Sequence, residues 1–104
     1  MIINDGYIFL FYDLPMKTKK DYKKYAIFRS RIVNRGYIML QESVYYKYLR
    51  DLKHKNDEDK FIKSIAINKS NIISLKLTSL QFNNIEKICG DFNLKDLSTN
   101  IVEY

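Results

Sequence analysis

The stretch Tyr7-Ile8-Phe9-Leu10-Phe11-Tyr12-Asp13-Leu14-Pro15 constrains the fold more than any other part of this chain. Six consecutive apolar or aromatic residues without alternation read as a strand covered on both faces, hence central in its sheet. Pro15 removes a ladder donor and pushes Leu14 toward extended geometry, so the strand must stop at Asp13. A carboxylate at the edge of an apolar layer is costly unless it is solvated, paired or bound to a cation. Asp13 is therefore either a solvated turn residue or a functional acid.

With 104 residues the chain has material for one domain, 1–104. No apolar run approaches the roughly 20 residues that cross a bilayer. The first residues lack the basic, apolar and small-residue pattern of a secretory signal. One cysteine, Cys89, permits no internal disulfide and fits a reducing compartment. The expectation is a cytoplasmic protein with no membrane partner.

The formal net charge of +6 is concentrated in one segment. Between positions 17 and 35 stand eight cations (Lys17, Lys19, Lys20, Lys23, Lys24, Arg29, Arg31 and Arg35) against the single acid Asp21. Charge gathered this way is the footprint of a polyanion partner, or else a solvated helix face. The same segment predicts a helix over 19–35, starting near Thr18 or Asp21 and closed by Gly36. On its wheel Tyr22, Tyr25, Ala26, Phe28, Ile32 and Val33 share an apolar face, and the cations cover the opposite one. Ile27 is the apolar exception on the basic side. Arg29 falls within the apolar face, where it either extends along its stem to water or meets a buried acid.

Strands are predicted at 37–41 and 43–49, joined by a tight turn or a bulge around Glu42. A second helix begins at an Asn56 N-cap, with Asp57, Glu58 and Asp59 in its first turn complementing the dipole. Phe61, Ile62, Ile65 and Ala66 supply its buried stripe. Ile73, Leu75 and Leu77 alternate with polar residues as a fourth strand. A short helix capped by Thr78 or Ser79 carries Phe82, Ile85, Ile88 and Cys89 to Gly90, and 97–102 is a last strand. The order strand, helix, strand, strand, helix, strand is the α+β ferredoxin-like arrangement, with a short extra helix and a C-terminal strand. That arrangement puts both helices on one sheet face and leaves the other bare and aromatic. The bare face and the unpaired tail (91–104) predict a homodimer.

Several chemistries are excluded. One histidine and no strand-to-helix nucleophile turn argue against a catalytic triad, and three dispersed glycines form no phosphate loop. Arg35-Gly36-Tyr37 imitates the start of an RNA-recognition octamer but falls at a helix end. An RNA-binding ferredoxin-like module, or a related small toxin ribonuclease, is the alternative that the fold allows.

Four motifs in order and spacing resemble the small CRISPR-associated Cas2 family: Tyr12-Asp13-Leu14-Pro15, Gly36, Gln41-Glu42-Ser43-Val44-Tyr45, and Thr78-Ser79-Leu80-Gln81-Phe82. Phe28-Arg29 ahead of Gly36 is similar to the branch found with type II loci. The resemblance implies a homodimer that binds double-stranded DNA and bridges the CRISPR integrase of its locus during spacer acquisition. It also implies a metal-dependent endonuclease activity using Mg²⁺ or Mn²⁺, with Asp13 as metal ligand and Tyr12 beside it as the catalytic pair. Met39 stands where an arginine often precedes the Gln-x-Ser motif. Lys17, Lys19, Lys20, Lys23, Lys24, Arg31 and Arg35 are the expected nucleic-acid contacts. Two Asp13 carboxylates about 4 Å apart across a two-fold axis would repel by roughly 4 kcal/mol at an effective dielectric near 20. A shared hard cation, or a proton, relieves that repulsion.

Overall fold

The computed structural model describes residues 4–94. The expected tail strand at 97–102 lies outside them. The elements run β1 (Gly6–Asp13), α1 (Lys19–Asn34), β2 (Ile38–Gln41), β3 (Val44–Leu49), a 3-10 turn (Leu52–His54), α2 (Lys55–Ile65), β4 (Asn71–Thr78) and α3 (Ser79–Asn83). All strand pairs are antiparallel and the sheet order is β2-β3-β1-β4, the ferredoxin-like topology.

β1 is central, flanked by β3 and β4, and its unbroken apolar run is explained by what covers each face. Ile8, Leu10 and Tyr12 point into a core with Phe28 and Ile32 of α1, Ile62 of α2, and Tyr45. Tyr7 and Phe9 point the other way, into a second cluster with Tyr46 and Phe82. Gly6 is required by crowding, because a side chain there would run into the backbone carbonyl of Leu77.

The expected bare face is therefore only half bare. α3 folds over one end of it, where Phe82 stacks on Tyr7 with ring centroids 3.7 Å apart. The contact buries both rings, Tyr7 at 1% and Phe82 at 5% exposure, which is the main source of its stabilisation. The uncovered part is an apolar strip of Phe11, Ile73 (65% exposed) and Leu75 (47%). Phe11 pairs with Ile73, and Asp13 with Asn71 at the strip's end.

α1 starts and stops as its sequence dictates. Thr18 Oγ1 accepts from the Asp21 N–H at 3.1 Å, and Asp21 accepts in return from the Thr18 N–H, a capping box. Its exit is a Schellman turn: the Gly36 N–H donates to Val33 O and the Tyr37 N–H to Ile32 O, with Gly36 at φ 107. The apolar face is narrower than the wheel predicts. Phe28 and Ile32 are buried and Tyr25 partly so, but Tyr22 (56% exposed) and Val33 (47%) lie on an open flank. The sheet contacts only one strip of the helix cylinder, and α2 occupies one side of it, so the far flank meets solvent.

Three expectations change in detail. Ser43 turns the β2–β3 hairpin at φ 66, and a register shift between Met39 and Gln41 supplies the bulge as well as the turn. α2 begins earlier than an Asn56 cap would set it. Asp51 accepts from the Lys53 N–H and opens the 3-10 turn, which runs directly into the helix, leaving His54 as an N-cap without a side-chain bond. α3 ends at Asn83, not Gly90, because successive Asn83 and Asn84 favour local side-chain bonding over helix continuation. Ile85 and Ile88 are left exposed.

Candidate nucleic-acid interface and acid site

Asp13 leaves β1 solvent-exposed, at the rim of the apolar strip and facing the β1–α1 loop. Strand alternation puts Tyr12 on the opposite sheet face from Asp13. Tyr12 is 5% exposed, and its ring packs edge-on to Phe28 at 5.1 Å and beside Tyr45 at 5.8 Å. Burial first, then the nearby Tyr25 and Tyr45 hydroxyls, push its phenol far above the usual range, so it stays neutral. Neither the Tyr12 nor the Tyr45 oxygen meets hydrogen-bond geometry with a partner among the described residues. From there Tyr12 positions the strand end that carries Asp13. Tyr12→Phe removes a buried hydroxyl that lacks a partner in good hydrogen-bond geometry, so its stability should equal or exceed that of wild type, by up to about 1 kcal/mol. A large destabilisation in thermal melts would mean that the hydroxyl is bonded after all.

The expected contacts divide into two groups. Lys17, Lys19, Lys20, Lys23, Lys24 and Arg31 are exposed on the β1–α1 loop and the outer side of α1. Arg35 is different, because its guanidinium is committed to a buried acid. Glu58, 5% exposed, accepts from Arg35 Nη2 at 3.2 Å, Lys47 Nζ at 3.1 Å and the Tyr37 hydroxyl at 3.2 Å. Arg35 also lies 4.5 Å above the Phe61 ring. Arg29, once a candidate partner for a buried acid, is exposed and forms no salt bridge among the described residues. The helix twist carries it to the open flank beside Tyr22 and Val33.

Glu58 thus ties the end of α1 to α2 and β3. The acidic trio that the sequence assigns to a helix cap splits three ways: Asp57 faces His54 at 3.6 Å, Asp59 faces Lys55 at 2.6 Å, and Glu58 turns inward. Burial alone would raise the Glu58 carboxyl, but its bonds to Arg35 and Lys47 outweigh this and hold it below its ordinary 4.5. A depressed carboxyl pKa contributes stability that is complete above the unfolded value and is lost as pH falls through the folded one. Glu58→Gln should destabilise the fold by about 2 kcal/mol, below the roughly 3–5 kcal/mol of a fully buried broken pair because both cations can reach water. Urea unfolding below pH 4.5 should show the wild type approaching the variant; a constant gap across acid pH would contradict this assignment.

The fold is a ferredoxin-like domain whose central strand ends in an exposed carboxylate and is followed by a helix with an exposed basic side. No family model matches the chain. Seven known proteins do, all CRISPR-associated endoribonuclease Cas2. That of Ligilactobacillus salivarius is 34% identical over 83 residues, covering 80% of this chain and 82% of its own. That of Treponema denticola is 32% identical over 96 residues, covering 89% and 92%. The chain belongs to the Cas2 family. No helix among the described residues is long and apolar enough to cross a membrane.

Proposed function

We propose that this protein is a homodimeric CRISPR adaptation factor that binds double-stranded DNA and bridges the integrase of its locus during spacer acquisition. Asp13 serves a phosphodiesterase activity of the kind named for its relatives. The observation that carries this reading is the exposed basic side of α1 placed directly after the strand that ends in an exposed Asp13. Six uncommitted cations on one surface suit phosphate contacts better than any small substrate.

The dimer is supported by the uncovered strip of Phe11, Ile73 and Leu75, which a second copy would remove from water. Because Asp13 ends that strip, the same contact would bring two Asp13 carboxylates together. One protomer does not build a metal site: no group of three or more potential ligands occurs among the described residues. A hard divalent cation takes about six oxygen ligands. Use of Mg²⁺ or Mn²⁺ therefore depends on both copies. The chain acts in this reading as a single cytoplasmic domain. RNA is the second candidate substrate, favoured by the endoribonuclease name of the relatives.

Integration in vitro with the neighbouring integrase tests the proposal. Integration should require this protein and should persist at the wild-type level with Asp13→Ala. An integrase that works equally well alone would remove the adaptor role.

A further inference from the structure

A cleft of about 670 Å³ opens beside Asp13, between the β1–α1 loop and the turn that joins α2 to β4. Its cations come from three separate places: Lys17 from the loop, Lys24 from α1 and Lys69 from the turn. None of them forms a salt bridge among the described residues, whereas Lys47, Lys53 and Lys55 all do. The other acid at the cleft, Asp21, already accepts from the N–H groups of Lys17 and Thr18 at 3.0 and 3.1 Å. Those bonds hold its carboxyl below the usual range. The Lys17, Thr18 and Asp21 amides are spent on this cap, and the charged anion-attracting groups here are the three ammoniums. The turn is a fixed support: the Ser70 N–H and hydroxyl both donate to Ile67 O, and Lys69 sits at φ 66.

Positions 68 and 69 lie far in sequence from the basic segment, and nothing in their spacing marks them. The fold brings them to the wall facing Lys24. We infer that this cleft seats the sugar–phosphate backbone of one strand of duplex DNA next to Asp13, with Lys24 and Lys69 contacting phosphates from its two walls. The inference rests on the nucleic-acid-binding reading above and extends its surface from α1 across to the α2–β4 turn. It explains how a backbone held by the basic helix would also run past the acid, which α1 alone does not ensure.

The test is a salt titration of a short duplex, with Lys69→Gln, Lys69→Arg, Lys23→Gln on the outer side of α1, and Lys60→Gln on α2 away from the cleft. Loss of one phosphate contact should make the log–log salt slope shallower by about 0.9 for each protomer. Lys69→Gln should show that change independently of DNA sequence, Lys69→Arg should keep the wild-type slope, and Lys60→Gln should be silent. If Lys69→Gln leaves the slope unchanged while Lys23→Gln lowers it, the cleft is not a DNA seat although the DNA-binding reading stands. A wild-type slope near zero would overturn both. A Lys69 effect confined to single-stranded RNA would overturn the assignment to duplex DNA. Urea midpoints equal to wild type separate these outcomes from misfolding, and if the Lys69 glutamine variant is unstable, Lys24→Gln from the facing wall carries the test: an unchanged slope there overturns the cleft as a DNA seat.

Discussion

Affinity for duplex DNA is expected to fall about 10⁴-fold when salt rises about fourfold. The figure follows from the charge that α1 leaves uncommitted. Of the seven cations that the sequence nominates, Arg35 is held by Glu58 and stacked on Phe61, so six remain free on the loop and outer helix. A helix face follows a duplex only part of the way, and about four phosphates per protomer is a reasonable share. Two protomers then release counterions from about eight phosphates, for a log–log slope near −7. Fluorescence anisotropy of a labelled duplex across a salt series measures this directly. A flat dependence would mean that the basic face is merely solvated, and tighter binding of single-stranded RNA would move the substrate to RNA.

Asp13→Ala is expected to lower cleavage in Mg²⁺ or Mn²⁺ at least about 100-fold, equivalent to roughly 2.7 kcal/mol of transition-state stabilisation. The other acid at that cleft, Asp21, is engaged by two backbone N–H groups and cannot take over without breaking the cap of α1. Binding should move the opposite way. Removing a negative charge from beside a phosphate path slightly strengthens association. Asp13 is exposed, so the variant should also keep its melting temperature. The diagnostic pattern is lost cleavage with equal or tighter binding. Cleavage surviving at the wild-type rate would place the activity elsewhere or in a contaminant.

Local chemistry explains why so much of the fold was legible. Pro15 ends β1, Thr18 and Asp21 start α1, Gly36 closes it, and Thr78 with Gln81 starts α3, each through neighbours within a few residues. Such signals act before any tertiary contact forms and are read directly from the chain. Long-range packing was less legible. Tyr12 and Asp13 are adjacent in sequence, yet the pleat sends them to opposite faces, and only the helix layer decides that Tyr12's face is the dry one. Glu58 looked like one of three cap acids. That it is the buried one depends on α2 being rotated to bring it under Arg35, Lys47 and Tyr37.

The sequence by itself determined the element order, the acid at the end of the central strand, the basic helix after it and, through four short motifs, the family. Strand and helix boundaries are set by dihedral preferences and local hydrogen bonds, which composition and spacing express. The tertiary structure decided which of those charges are available. It withdrew Arg35 into an ion pair, put Tyr12 in the core, covered half of the open face with Phe82, and brought Lys69 beside Asp13. Each of those outcomes depends on distances between residues remote along the chain, and no local preference encodes them.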